Sequence, residues 1–202
     1  MKRILLLLLI AAVSFTGCQL YETFVNISRL KFKLGEVNQV AVKGINLSGK
    51  NSIDDFSPLD MISVLAGVAG GSLPVSFVVN VDALNPNDGK GGYPRTDATI
   101  KRFPFRLMLD QKEVFSGDIN EQFIIPGTGE TTVLPLKIEF DLMKVFKDKS
   151  YESLLQLALN LTGHSSKKVT MEIYARPSVV TEIGELSYPG ELKIVDMDFT
   201  KE

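Results

Sequence analysis

The chain has 202 residues, of which 45% are hydrophobic and 23% are charged, and its formal net charge is −2. Its 22 basic residues do not exceed its 24 acidic ones, which argues against nucleic acid as a partner because phosphate binding needs a clustered basic face. One cysteine, one histidine and no tryptophan leave little material for redox or metal chemistry, so we predict neither a metal nor a cofactor.

The start of the chain predicts a lipoprotein signal peptide at 1–17. Lys2 and Arg3 precede an apolar run at 4–13, and a short segment with serine, threonine and glycine leads to Cys18. A basic start and an apolar run too short to span a bilayer are typical of exported proteins. The segment before Cys18 resembles the bacterial lipobox, whose cysteine becomes the new N-terminus and carries lipid. This resemblance implies lipid attachment at Cys18, which would explain a lone cysteine in an exported chain.

Lipid on Cys18 would hold the chain on a membrane, because each buried methylene group contributes about 0.8 kcal/mol. In lipoproteins of enteric bacteria, aspartate after the cysteine marks inner-membrane retention. By that resemblance Gln19 favours the periplasmic side of the outer membrane. The alternative is an ordinary secretory signal peptide with a chance cysteine. We predict a lipidated tether at 18–24 and a single domain at 25–202.

Two strands are predicted at the start of this domain, at 25–34 and at 39–47. Apolar residues alternate with lysines in the first segment, which is the period of a strand with one buried face. Gly35 and Glu36 are predicted to break the chain between the two strands.

A capped apolar helix is predicted at 58–68. Ser57 occupies the N-cap position, and Pro58 and Asp60 lie in the first turn, where they favour helix formation. Most of the helix circumference is apolar, and such a helix is normally buried or covers a hydrophobic opening. One interpretation is a lid packed over one end of the core, and the other is a movable gate or docking surface. The residues of this candidate apolar surface are Leu59, Ile62, Leu65 and Val68.

The strongest strand pattern lies at 73–84, where valine, phenylalanine and alanine occupy alternate positions. This period of two predicts one buried face, with Val79 among its core residues. Asn85-Pro86-Asn87 follows the strand and predicts a turn that ends it.

The remainder of the chain predicts further strands, a second helix and turns rich in glycine and proline. Pro135 places a strand at 131–142 near a sheet edge or at a bulge, because proline cannot donate to the ladder. The second helix is predicted at 151–161, with Ser150 as its N-cap. Other strands are predicted at 99–102, 103–109, 113–118, 167–176, 178–183 and 190–197. Many short strands with two short helices predict an all-β, immunoglobulin-like antiparallel sandwich.

Several short segments stand out by their order and spacing. They are Asn85-Pro86-Asn87, Leu109-Asp110-Gln111-Lys112-Glu113, Phe115-Ser116-Gly117, Ile125-Pro126-Gly127, Thr131-Thr132 before Leu134-Pro135-Leu136, and Gly184-Glu185-Leu186. Over residues 25–197 this order resembles the late embryogenesis abundant group 2 family, whose module is also called the water-stress and hypersensitive-response domain. The resemblance implies a fibronectin-III-like β-sandwich with a helix at one end. It also implies a non-enzymatic binding or protective role, in a family whose bacterial members are often lipoproteins.

Residues with catalytic or metal-binding chemistry are few, and we predict no catalytic residue and no metal site. His164 lies in a polar loop with no evident base or co-ligand, so a solvated loop residue is the better account. Asp82, Asn85, Asn87 and Asp88 bring oxygens to a glycine-rich turn but lack the ligand spacing of an EF-hand loop. Turn formation explains these four residues better than calcium binding does.

These observations predict a membrane-anchored lipoprotein of the cell envelope that acts as a non-enzymatic interaction, scaffold or stress-protective module. Its partners would be the membrane, through the lipid on Cys18, and an envelope protein. The alternative is a carrier of an apolar ligand or lipid in a slot between the two sheets, with the helix at 58–68 as its lid. An enzyme of an unrecognised type is a third possibility and would need convergent polar groups in a cleft.

Overall fold

The computed structural model describes residues 24–92, 94–119, 121–163, 169–181 and 184–195. Cys18, the predicted signal peptide and His164 lie outside these residues. The strands are β1 (Lys31–Val42), β2 (Ile45–Asn46), β3 (Pro74–Leu84), β4 (Ala98–Arg102), β5 (Phe105–Leu109), β6 (Lys112–Gly117), β7 (Phe123–Ile125), β8 (Thr131–Asp141), β9 (Met171–Ala175), β10 (Ser178–Thr181), β11 (Gly184–Ser187) and β12 (Leu192–Ile194). The helices are α1 (Pro58–Ala69), α2 (Leu142–Val145) and α3 (Tyr151–Leu161), with a 3-10 turn at Ile53–Asp55 and a helical turn at 24–28.

The first layer is an antiparallel sheet in the order β2-β1-β3-β8. Strand β3 pairs with β8 along its whole length, and its buried and half-buried residues alternate without a break. Val75, Val79 and Val81 are fully buried, as the alternating pattern predicts. The edge position of β8 confirms the prediction made from Pro135, since an edge strand leaves one side of its backbone free of ladder bonds.

The second layer is bent at two prolines. It consists of the sheets β11-β10-β4-β7 and β12-β9-β5-β6, so Pro104 separates β4 from β5 and Pro177 separates β9 from β10. The strands stay neighbours through the bend, because the Arg176 N–H donates to the Pro104 carbonyl at 3.0 Å. The Phe103 N–H, next to the bend, donates to the Asp118 carboxylate at 2.6 Å. The backbone N–H groups of Arg176 and Phe103, next to the bend, therefore each have a hydrogen-bond acceptor nearby.

The two layers enclose one hydrophobic core, to which all the long strands contribute. Phe32 of the first layer contacts Phe103 of the second, with 5.6 Å between ring centroids. Helix α3 packs on β1, and the predicted core stripe of Leu154, Leu155 and Ala158 is buried. The arrangement confirms the predicted all-β antiparallel sandwich with short accessory helices.

Two predictions at the start of the domain are wrong. Residues 24–28 form a helical turn rather than a strand, and β1 runs through Gly35 without ending there. The chain accommodates the extra residues as two register shifts, between Leu34 and Val37 and between Asn38 and Ala41. Gly35 permits the first shift, because a β-carbon there would lie 3.1 Å from the Asn80 carbonyl oxygen.

A further difference lies after β8, which ends one residue earlier than predicted because α2 begins at Leu142. The Asp141 carboxylate caps this short helix and accepts from the Met143 N–H at 3.0 Å. It also accepts from the Ser72 hydroxyl at 2.6 Å and the Leu73 N–H at 3.1 Å. Asp141 thereby ties the start of β3 to the end of β8.

The sandwich has two poles, set by the direction of β3. Helix α1 leads into the start of β3, and the helical turn at 24–28 meets the chain just after β3 ends, where the Asn87 side-chain amide donates to the Asn26 carbonyl at 2.9 Å. Strand β3 has 11 residues, so the poles lie about 35 Å apart at about 3.3 Å per residue. Helix α1 and the N-terminal turn therefore occupy opposite ends of the molecule.

Candidate functional site

Helix α1 is held in place by its N-cap. The Ser57 hydroxyl accepts from the Asp60 N–H at 3.1 Å, and the Asp60 carboxylate accepts from the Ser57 N–H at 3.1 Å. This reciprocal pair is a capping box, which satisfies two backbone donors at the helix start. Hydrogen bonds from the Ser57 backbone and hydroxyl, with Lys50 nearby, hold the pKa of Asp60 below its usual value. Asp60 therefore stays ionised near the positive end of the helix dipole.

The helix turns a narrow face to the core. Val64 is fully buried and Gly67 is buried, whereas Val68 is half-buried and packs against the core. Gly67 allows this close approach, because a β-carbon there would lie 2.7 Å from the Ser72 carbonyl oxygen.

The opposite face of α1 carries three exposed apolar side chains. Leu59 is 77% exposed, Ile62 63% and Leu65 46%. We refer to these three residues as the outer stripe. Their spacing of three residues places them along one side of the helix. Of the four residues of the predicted apolar surface, the three of the outer stripe are therefore exposed to solvent, and Val68 packs against the core.

The asparagines after β3 hold two loops together. The Asn85 amide is fully buried and donates to the Thr96 carbonyl at 2.7 Å and the Ile125 carbonyl at 3.0 Å. Its oxygen accepts from the Asn87 N–H at 3.1 Å. The half-buried neighbour Asp88 accepts from the Lys90 N–H at 3.0 Å. In the part of the chain that the structure describes, no group of three histidine, cysteine, aspartate or glutamate side chains is placed to hold a metal ion.

The strongest electrostatic effect lies on the outer face of the second layer, at Glu185. Its carboxylate accepts from the Ser178 hydroxyl at 2.7 Å and from the Arg102 guanidinium at 2.7 Å, and it pairs with Lys101 at 3.1 Å. These donors lower the pKa of Glu185 to about 2, with the Ser178 bond the largest cause. The cluster links β4, β10 and β11, so we assign it to sheet pairing rather than to catalysis.

An open cleft of about 450 Å³ lies outside the bend of the second layer, between Pro104 and Glu191. Arg106 spans it and makes a bidentate pair with Glu191 at 2.8 and 2.9 Å, and its guanidinium lies 5.1 Å from the centre of the Tyr174 ring. The bonds to Glu191 are the largest cause that raises the pKa of Arg106. The Arg106 and Glu191 charges of this cleft are therefore paired with each other, and Arg176, which also lines it, donates to the Tyr188 carbonyl at 3.2 Å.

The structure also brings together a set of residues that sequence analysis did not single out. Asn38, Gln39, Asn46 and Asn80 line one cleft on the outer face of the first layer. They come from β1, β2 and β3, where Asn38 and Asn80 are half-buried and Gln39 and Asn46 are exposed. A polar residue at Gln39, where the alternation of β1 fails, was the available signal in the sequence.

No helix in the described ranges is long and apolar enough to cross a membrane. Comparison with known proteins finds no matching family profile and no matching curated protein. The fold is similar to a crystal structure of a protein from Archaeoglobus fulgidus, with 9% identity, a TM-score of 0.33, and coverage of 62% of this chain and 88% of that chain. It is also similar to a solution structure of an Arabidopsis thaliana protein, with 14% identity and a TM-score of 0.33. That match covers 83% of this chain and 80% of the Arabidopsis chain.

Proposed function

We propose that this chain is a lipid-anchored lipoprotein of the cell envelope and a member of the late embryogenesis abundant group 2 family. It acts as a non-enzymatic interaction or scaffold module, with stress protection as the role that the family resemblance implies. The observation that carries the proposal is the outer stripe of α1, because grouped apolar side chains held in water mark interaction surfaces.

The outer stripe has the properties of a preformed recognition element. The capping box fixes the start of α1, and Val64 and Gly67 hold the helix to the core. A helix that is already ordered loses little conformational freedom on binding. Apolar side chains along one helix face are the usual anchors for a hydrophobic groove, so we propose an envelope protein with such a groove as the partner.

The positions of the N-terminal turn and of α1 at opposite poles of the sandwich suit this role. A lipid on Cys18 would anchor the pole that carries the turn at 24–28, and α1 lies at the other pole. On the periplasmic side of the outer membrane, the outer stripe would then point away from the lipid surface by about the length of β3, about 35 Å. The partner would meet the module from the periplasm.

Replacing Cys18 with serine tests the anchor. We expect the Cys18→Ser protein to leave the membrane fraction, because it lacks the thiol that carries the lipid. Cell fractionation with intact-mass measurement checks this, and Thr16→Ser serves as a control that keeps the cysteine. If Cys18→Ser protein stayed in the membrane fraction with the mass of the unchanged protein, the lipid anchor would be wrong.

Paired substitutions in α1 test the outer stripe. We expect Ile62→Asp to change the free energy of unfolding by no more than about 0.5 kcal/mol, because the side chain is 63% exposed. Val64→Asp should cost several kcal/mol, because it buries an unpaired carboxylate. Urea denaturation gives both values.

A photo-reactive residue at position 62 tests binding in intact cells, and the exposed Lys137 on β8 is the matched control position. We expect one cross-linked product of defined mass from position 62, lost in a chain that also carries Leu59→Asp. Equal cross-linking at both positions, or equal destabilisation by Ile62→Asp and Val64→Asp, would count against a docking surface.

The alternative function, a carrier of an apolar ligand, needs space between the sheets beneath α1. Val64 of the helix and Leu73 and Leu142 near it are fully buried members of the hydrophobic core, which favours a filled interior. Native mass spectrometry distinguishes the two functions. If the chain is an interaction module, the measured mass is that of the protein alone. A lipid-sized additional mass that disappears with Val68→Asp, a change on the side of α1 that faces the core, would favour the carrier.

A further inference from the structure

The outer face of the first layer carries an open cleft of about 580 Å³ whose lining is uncharged. Amide and hydroxyl side chains form much of the wall, and small apolar side chains form the rest. The lining residues are Asn38, Gln39, Ala41, Asn46, Ser48, Val78, Asn80 and Pro135. Charged residues lie beyond the lining: Lys137 of β8 is opposite Val78, and Lys33 and Asp82 are paired at 3.7 Å. The cleft therefore presents hydrogen-bonding groups without a net charge.

Two bulges in β1 shape this cleft. The register shifts bracket Gly35 and Gln39, so the amides of Asn38 and Gln39 are presented beside Asn80 instead of following the regular alternation. Gln39 has a φ of 56°, a left-handed conformation that is unfavourable for residues with a β-carbon. Such conformations and bulges are common where a side chain is aimed at a ligand.

The amides of the cleft have unused hydrogen-bonding capacity. No hydrogen bond engages the side chains of Asn38, Gln39 or Asn80 in the part of the chain that the structure describes. The Asn46 oxygen accepts from the Ser48 N–H at 2.7 Å, which leaves its NH₂ group free to donate. Each primary amide offers both donors and an acceptor.

We propose that this cleft binds a short segment of a neutral glycan. Sugar hydroxyls donate and accept at once, which matches side-chain amides, and the apolar C–H faces of sugar rings suit Val78, Ala41 and Pro135. A charged ligand would find no counter-charge among the lining residues.

An extended peptide fits this cleft less well than a glycan. Peptides that add to a sheet bind along the free backbone of an edge strand. The cleft crosses the sheet from Asn46 of β2 to Pro135 of β8, and its residues Val78 and Asn80 belong to β3, whose backbone is paired on both sides. The ligand must therefore be recognised by side chains, and those present here match hydroxyl groups.

Isothermal titration calorimetry of the full chain tests the proposal, in a zwitterionic detergent that has no sugar headgroup. The probes are cellohexaose, maltohexaose and chitohexaose, and a charged hexapeptide and an uncharged hexapeptide are compared. We expect at least one of the sugars to bind with a dissociation constant below about 1 mM. The proposal would be overturned if none of the three sugars gave a heat of binding, or if only the uncharged peptide bound.

Variants locate the binding. Asn38→Ala combined with Asn80→Ala should weaken sugar binding about tenfold or more, because it removes amides that hydrogen-bond the ligand. Thr131→Ala, an exposed change on β8 outside the cleft, should bind as the unchanged protein does.

Gln39→Gly should raise the melting temperature, since glycine accepts the left-handed backbone, and should weaken binding. Unchanged affinity in both cleft variants would overturn the proposal.

Discussion

Val79→Asp is expected to abolish cooperative folding of the domain. Val79 is fully buried in the middle of β3, opposite Val37 of β1 and Leu136 of β8. A carboxylate at this place finds no partner, and burying it costs several kcal/mol or forces it to take up a proton. Since domains of this size are stable by about 5–15 kcal/mol, the substitution removes most or all of that margin.

The neighbouring residue provides the control. Val78 belongs to the same strand but turns to the outer face, where it is half-buried. Val78→Asp should therefore fold, with a small loss of stability at most. Thermal unfolding followed by circular dichroism compares the two variants. A cooperative transition in Val79→Asp at the temperature of the unchanged protein would mean that the inward face of β3 is not the core.

Asn85→Ala is expected to cost about 3 kcal/mol or more. The substitution leaves the buried Ile125 carbonyl, the buried Asn87 N–H and the part-buried Thr96 carbonyl without their partner. Each buried polar group that loses its hydrogen bond costs about 1–3 kcal/mol. Urea denaturation measures the loss, and Asn51→Ala is the control, because Asn51 is exposed.

Asn85→Asp separates hydrogen bonding from simple packing. Aspartate has nearly the shape of asparagine, but a carboxylate would face the two carbonyl oxygens that the amide now serves. We therefore expect Asn85→Asp to be at least as unstable as Asn85→Ala at neutral pH. Stability equal to that of the unchanged protein in either variant would show that the asparagine is not the link between the two loops.

The role of Asn85 also shows where local sequence patterns stop being informative. The segment Asn85-Pro86-Asn87 is identified correctly as the end of a strand, because turn preferences depend on near neighbours. The partners of its amides are residue 125 on one side and residue 26 on the other. These contacts depend on how the layers are brought together, so no local pattern predicts them.

Strand β1 illustrates the same limit. Gly35 interrupts the alternation in the sequence and predicts an end of the strand, whereas pairing with β3 carries the strand through two bulges. Hydrogen bonds to a neighbouring strand stabilise a local irregularity that the segment alone would not tolerate. The cleft that contains Asn38, Gln39 and Asn80 is a product of that pairing.

The sequence by itself determined the sandwich class, the alternating face of β3, the cap of α1 and the edge position of β8, because periodicity, capping and proline chemistry act over a few residues. Only the tertiary structure decided which side of α1 faces water. The helix is apolar around most of its circumference, so its own residues do not choose between Val64 and Ile62. Contact with the core buries the first and leaves the second exposed, and that choice is made by packing between distant parts of the chain.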